Sequence, residues 1–148
     1  MKYKDIYPDS PYLKSIEIFG EPVVTVITGA KKEKIIDASR PDSEEVELVV
    51  YCHGIKKFIC NKTNFKTISL IAGIAETDKW IGTVITLYAK KGTYFGIEGT
   101  AIRVMPKPEP LALFLKQSTS LEDLKERYKL INQRGDKNLV TELINKLK

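Results

Sequence analysis

The sequence predicts a β-rich α+β protein in which five strands form a Greek-key barrel, with one helix between the third and fourth strands and a helical hairpin after the barrel. Two observations predict this class. β-Branched stretches and period-two alternation occur on both sides of one segment with helical period. A proline-rich segment then separates these elements from two amphipathic stripes further along the chain.

The first two strands are indicated by β-branched residues and by alternation. Residues 23–28 are β-branched at every position, and residues 46–53 alternate so that Val50 and Tyr51 lie on opposite faces. The stretch between them, residues 30–44, is charged and contains a proline. It therefore predicts a long loop.

The remaining elements of the barrel follow from changes of period. Phe65 and Ile68 belong to a stripe of helical spacing, whereas Ile85 and Leu87 alternate with outward-facing neighbours. We expect a third strand at residues 57–60, a helix at 63–75, a fourth strand at 83–89 and a fifth at 100–105. Trp80, at the corner between the helix and the fourth strand, is expected to close the bottom of the barrel as a core residue.

Prolines and glycines divide the chain into four segments. The predicted segments are an N-terminal arm at residues 1–20, the barrel at 21–106, a proline-rich linker at 107–119 and a helical hairpin at 120–148. Ser120 and Asp123 match the capping box that starts the first helix of the hairpin.

Three strands, one helix and two strands is the element order of the OB-fold, a partly open barrel whose sheet face and loops often bind oligonucleotides. A ferredoxin-like domain would need a helix directly after the first strand, where residues 30–44 are charged and interrupted by Pro41. The order of elements therefore favours an OB-like barrel.

Composition limits the classes of function. The 148 residues carry a net charge of +5, with 43% hydrophobic and 29% charged residues, as in a globular protein with a mild basic excess. No apolar run reaches the roughly 18 residues of a transmembrane helix, and the polar first ten residues do not match a secretory signal. Cys52 and Cys60 lie in apolar stretches, as reduced buried thiols do. We expect a cytosolic protein without a membrane partner.

Basic loops and outward tyrosines predict a site for single-stranded nucleic acid, because lysine and arginine bind phosphates and aromatic rings stack on bases. The expected contacts are Lys31, Lys32, Lys34, Arg40, Tyr51, Lys56, Lys57, Tyr88, Lys90, Lys91, Tyr94, Phe95 and Arg103. The alternative is that the lysines only solvate the loops and that the tyrosines pack under the arm or the C-terminal helices.

No pattern typical of an active site is present. Cys52, His53 and Cys60 lack the paired spacing of a zinc site, and no serine or cysteine lies in a nucleophile motif. The carboxylates within residues 37–47 are more typical of a solvated loop edge than of a cation site. We therefore expect no catalytic residue, no metal and no cofactor.

Several short motifs also carry a resemblance to known proteins. They are Pro11-Tyr12-Leu13-Lys14, Asn61-Lys62-Thr63-Asn64, Trp80-Ile81-Gly82, Ile85-Thr86-Leu87-Tyr88, Gly96-Ile97 and Ile102-Arg103-Val104. Across residues 11–106 the sequence resembles a family of small, mostly uncharacterised phage and prophage proteins that are OB-like and related to single-stranded DNA-binding proteins. The resemblance implies binding of single-stranded DNA, or of RNA, with little sequence specificity. It also implies a role in phage or prophage replication or recombination, in the cytoplasm of a bacterial host cell.

A non-enzymatic protein-interaction module, such as a phage-encoded modulator of a host protein, is the alternative function. It would use the barrel as a scaffold and the C-terminal hairpin as the contact surface for a protein partner or for a second copy of the chain. The apolar residues expected at that surface are Leu121, Leu124, Tyr128, Leu139, Leu143 and Ile144.

Overall fold

A five-stranded antiparallel open sheet and three helices make up the computed structural model, which describes residues 11–36, 44–94 and 97–132. The elements are β1 (Val23–Ile36), β2 (Glu44–Cys52), β3 (Phe58–Ile59), α1 (Lys62–Ala72), β4 (Val84–Tyr94), β5 (Ile97–Val104), α2 (Leu111–Lys116) and α3 (Leu121–Asn132), with short 3-10 turns at Ser15–Ile18 and Thr77–Trp80. The predicted β-rich α+β class is confirmed.

Strand β1 lies at the centre of the sheet and is shared between its two halves. The sheet order is β3-β2-β1-β4-β5, and every neighbouring pair is antiparallel. Residues 23–26 of β1 pair with β4, and residues 27–36 pair with β2. Because the partner changes partway along one strand, the two halves of the sheet are joined through β1.

A β-bulge at Thr28 changes the alternation of β1. Ile27 pairs with Cys52 and Gly29 pairs with Tyr51, so the bulged strand has one extra residue at this point. The extra residue moves every later side chain to the other face of the sheet. Beyond the bulge, the odd-numbered residues of β1 therefore share a face with Tyr51.

The prediction of a loop at residues 30–44 is wrong for its first part, because β1 continues to Ile36. Charged residues such as Lys31 and Glu33 have a low preference for strands. Here their backbone groups pair with β2, and this cross-strand pairing outweighs the local preference. Residues 37–43, with the predicted contact Arg40, lie outside the described residues.

Helix α1 is bounded by Asn61 and Gly73, two residue types that commonly cap helices. The side-chain oxygen of Asn61 accepts a hydrogen bond from the backbone N–H of Asn64 at 2.9 Å, which caps the first turn. Gly73 has a φ of 74°, a left-handed conformation that glycine adopts without steric cost. The helix therefore ends before the predicted boundary at Ala75.

The main core lies between the sheet and α1, on what we call the inner face of the sheet. Its buried side chains are Leu13, Ile18, Ile27, Val50, Phe58, Cys60, Ile68, Trp80, Ile85, Leu87 and Val104. Trp80 is fully buried, with its ring centroid 5.0 Å from that of Phe65, and its Nε1–H donates to the carbonyl oxygen of Ile74 at 3.0 Å. The prediction that Trp80 is a core residue is confirmed.

Asn64 connects α1 to β5 through two hydrogen bonds. Its Nδ2 donates to the carbonyl oxygen of Ile102 at 3.0 Å, and its Oδ1 accepts from the backbone N–H of Val104 at 3.3 Å. We expect Asn64→Ala to lower the free energy of unfolding by about 2–3 kcal/mol, because a buried donor and a buried acceptor lose their partners. Urea denaturation measures this, and the exposed Thr63→Ala serves as the control, with a change of about 0.5 kcal/mol or less. Equal stabilities of the two variants would contradict the role given to Asn64.

The two C-terminal helices cover the middle of the outer face, which is the face opposite the main core. The buried residues of this second cluster are Val26, Val84, Leu111, Phe114, Leu115 and Ile131. Leu124 and Tyr128 of α3 pack against the cluster, whereas Leu121 is 66% exposed. The first helix of the predicted hairpin therefore packs on the sheet.

The segment between β5 and α3 is also held against the sheet. The carboxylate of Glu109 accepts a hydrogen bond from the backbone N–H of Val84 at 2.9 Å, and α2 lies inside the stretch 107–119 that the sequence predicts as a linker. Residues 133–148, with the predicted contacts Leu139, Leu143 and Ile144, lie outside the described residues. In the part of the chain that the structure describes, no helix is long and apolar enough to cross a membrane.

Candidate nucleic-acid interface

A row of side chains crosses the outer face of β3, β2 and β1. Tyr12 pairs with Lys57 beside β3, and the β2–β3 register, continued by one residue, places Lys57 opposite Tyr51. Tyr51 pairs in turn with Gly29 of β1, which presents no side chain and leaves room beside the tyrosine. With two residues from further along β1, this row forms the group that we call the Tyr51 cluster: Tyr12, Lys31, Glu33, Tyr51 and Lys57.

Glu33 is the hydrogen-bond acceptor at the centre of the Tyr51 cluster. Its Oε2 accepts from the hydroxyl of Tyr12 at 3.2 Å and from Nζ of Lys57 at 3.2 Å. Its Oε1 accepts from the hydroxyl of Tyr51. The Glu33 side chain is 21% exposed, so donors from three separate segments converge on one partly buried carboxylate.

These hydrogen bonds set the protonation states within the cluster. The hydrogen bond from Tyr51 lowers the pKa of Glu33, and the hydrogen bond from Lys57 lowers it further. The contact with Glu33 raises the pKa of Tyr51 and also raises the pKa of Lys57. At neutral pH the Glu33 carboxylate and the Lys57 ammonium are therefore charged and the Tyr51 phenol is neutral.

Ammonium groups lie close to the faces of both tyrosine rings. Nζ of Lys57 is 5.2 Å from the ring centroid of Tyr12 and 5.3 Å from that of Tyr51. Nζ of Lys31 is 5.6 Å from the Tyr51 centroid. These distances are within the range of cation–π attraction. Aromatic faces and cations thus lie side by side, which is the combination that holds the bases and phosphates of a single strand.

Three of the predicted nucleic-acid contacts belong to this cluster: Lys31, Tyr51 and Lys57. Two other predicted contacts on β1 do not. Lys32 and Lys34 alternate onto the opposite face of the strand. Lys32, together with Lys31 and Glu47 from the outer face, lines a pocket of about 520 Å³ between the β1–β2 hairpin and α1.

Other predicted lysines contact different groups. Nζ of Lys56 lies 2.7 Å from a carboxylate oxygen of Glu17, and Nζ of Lys91 lies 5.4 Å from the ring centroid of Phe19. Lys90 is exposed on β4. None of these three contributes to the Tyr51 cluster.

Tyr88 and Arg103 form a second group on the outer face. They pair directly across β4 and β5. The registers place Tyr88 and Tyr51 on the order of 20 Å apart along β1. Between these two tyrosines, helices α2 and α3 cover Val26 and Val84. The predicted aromatic and basic residues of the outer face therefore form two groups rather than one continuous surface. Phe95 and the side chain of Tyr94 lie outside the described residues.

Tyr12 and Glu33 belong to the cluster, although the sequence did not predict them as contacts. Tyr12 joins it through a backbone pairing with Lys57 that spans many residues of chain, and no local pattern signals such a pairing. Glu33 lies two residues after Lys31. Had the strand been extended through the charged stretch, period-two alternation would have placed both residues on one face.

Cysteine, histidine and acidic side chains are the groups that could hold a metal ion. Among the residues that the structure describes, no group of three or more His, Cys, Asp or Glu side chains is placed to hold a metal ion. Cys52 and Cys60 are free thiols, and burial raises the pKa of both, that of Cys60 to about 12. Both thiols are therefore protonated at neutral pH.

No protein-family model, curated protein or solved structure matches this chain.

Proposed function

We propose that this protein is an OB-like barrel that binds single-stranded nucleic acid, DNA in the first place, through the Tyr51 cluster. The sheet order β3-β2-β1-β4-β5, with α1 between β3 and β4, supports an OB barrel that is open between β3 and β5. Asn64 of α1 bonds to β5 at that opening. In OB-folds the face of the second and third strands and the loops after the first and fourth strands bind oligonucleotides. Tyr51 of the cluster lies on the second strand and Lys57 directly precedes the third, whereas Lys31 and Glu33 lie on the neighbouring first strand.

The observation that carries the proposal is the placement of two lysine ammonium groups beside two tyrosine rings on a partly exposed sheet face. Bases stack on the ring faces, and Lys31 and Lys57 neutralise neighbouring phosphates. Every base has a π-face, so a site of this kind has little sequence preference. The resemblance to phage and prophage proteins extends the proposal to a role in replication or recombination.

Salt dependence of binding tests the proposal. We expect a fluorescein-labelled dT oligomer to bind at low salt, and its affinity to fall with a slope of roughly −1.4 in a plot of log K against log salt. This slope is what two neutralised phosphates of a single strand produce, at about −0.7 each. Fluorescence anisotropy measures it. A duplex of the same length is the control, and it should bind more weakly because its bases cannot stack on the rings. No binding of the dT oligomer at low salt would contradict the proposed function.

A protein-interaction module is the second candidate, because the C-terminal helices leave apolar side chains exposed. Leu113 is 47% exposed and Leu121 is 66% exposed. A chain that binds no oligonucleotide, but associates with itself or with a host protein through these leucines, would favour this candidate. Sedimentation of the wild type and of Leu121→Ala distinguishes self-association from a monomer.

A further inference from the structure

Glu33 places a negative charge in the middle of a surface that is proposed to bind a polyanion. Its carboxylate accepts hydrogen bonds from the hydroxyls of Tyr12 and Tyr51 and from the ammonium of Lys57. These are donors that a phosphate oxygen would use. Glu47 lies directly opposite Glu33 in the β1–β2 register, which adds a second carboxylate to the same face. In the free protein, all three groups thus already donate to the Glu33 carboxylate.

We propose that Glu33 is an internal competitor that determines the affinity of the interface: it occupies these donors in the free protein, and a phosphate of the bound strand displaces it. This inference rests on the proposed function. A phosphate that displaces Glu33 exchanges one anion for another, so the net gain from the phosphate contact is small. Base stacking then supplies most of the binding free energy. The interface thereby favours strands with exposed bases over other polyanions.

A purely structural role of Glu33 makes the opposite prediction. If the carboxylate only orients the Tyr51 and Lys57 side chains, its neutralisation leaves the Tyr51 ring less well oriented and weakens the binding of the oligomer. If it competes with phosphate, its neutralisation strengthens binding. The sign of the change in affinity therefore separates the two roles.

The variant Glu33→Gln removes the charge and keeps the shape and one acceptor oxygen. We expect it to bind the dT oligomer roughly 2- to 5-fold more tightly at low salt, the range that the loss of one partly exposed charge contact produces. The slope of log K against log salt should stay near the wild-type value, because Lys31 and Lys57 neutralise two phosphates in both proteins. Anisotropy titration measures both quantities.

Glu76→Gln is the matched control. Glu76 lies 3.5 Å from Lys79 on a different part of the surface, so this variant makes the same change in net charge and releases a lysine outside the Tyr51 cluster. It should shift the affinity by less than 2-fold. Lys57→Ala should weaken binding more in the Glu33→Gln background than in the wild type, because only there is the ammonium not paired with the carboxylate.

Unchanged or weaker binding by Glu33→Gln, in a protein that unfolds at the wild-type temperature, overturns the inference and leaves the proposed function in place. An equal gain in affinity from Glu33→Gln and Glu76→Gln also overturns the inference, because equal gains would depend only on the change in net charge. If neither the wild type nor Glu33→Gln binds the oligomer at low salt, the proposed function itself fails.

Discussion

Tyr51→Ala is expected to weaken binding of a dT oligomer roughly 5- to 100-fold, which is the range for the loss of one stacked base. Tyr51 is central because its ring lies near the ammonium groups of both Lys31 and Lys57. Its removal therefore takes away a stacking surface and the cation–π contacts of both ammonium groups. Anisotropy titration at low salt measures the change in dissociation constant.

Two control variants locate the effect. Tyr51→Phe keeps the ring and removes only the hydroxyl that donates to Glu33, so it should bind at least as tightly as the wild type. Tyr88→Ala removes a tyrosine on the far side of α2 and α3 and should cost less affinity than Tyr51→Ala. A larger loss from Tyr88→Ala would assign the interface to β4 and β5 instead.

Trp80→Ala is expected to lower the free energy of unfolding by about 3–5 kcal/mol. The indole is fully buried against Phe65, so alanine leaves a cavity that the surrounding side chains fill only in part. The carbonyl oxygen of Ile74 also loses its donor. Urea denaturation, followed by circular dichroism, measures the change.

Leu70→Ala is the control for the Trp80 variant, because it truncates a large apolar side chain that is 82% exposed on α1. It should change stability by about 0.5 kcal/mol or less. A loss of stability in Trp80→Ala no larger than in Leu70→Ala would contradict the position of Trp80 at the centre of the core.

The parts of the fold that sequence alone could predict are those fixed by local alternation. Val50, Ile85 and Leu87 are fully buried on the inner face, as their spacing predicts. The continuation of β1 could not be predicted, because the residues that follow Gly29 are charged and are held in a strand by their pairing with β2. The bulge at Thr28 also reverses the phase of alternation, and a single strand read by itself does not reveal this.

The candidate site shows the same limit. Alternation predicted that Tyr51 faces outward, and the short turn before β3 pointed to Lys57. The Tyr51 cluster depends on two pairings between distant segments. The register of β1 against β2 brings Glu33 to Tyr51, and Tyr12 pairs beside β3. The same registers separate Tyr88 and Arg103 from the cluster. Contacts between distant segments, which no local pattern encodes, therefore decide which predicted residues act together.

Photo-crosslinking shows which rings of the protein stack on bases, because 5-iodouracil in a dT oligomer reacts with an aromatic side chain that is stacked on it. Irradiation of the complex at low salt, followed by mass spectrometry of the peptides, identifies the residue in contact. We expect adducts at Tyr51 or Tyr12, and loss of the adduct at the substituted position in Tyr51→Ala or Tyr12→Ala. Adducts confined to Tyr88 or to the C-terminal helices would contradict the assignment of the interface to the Tyr51 cluster.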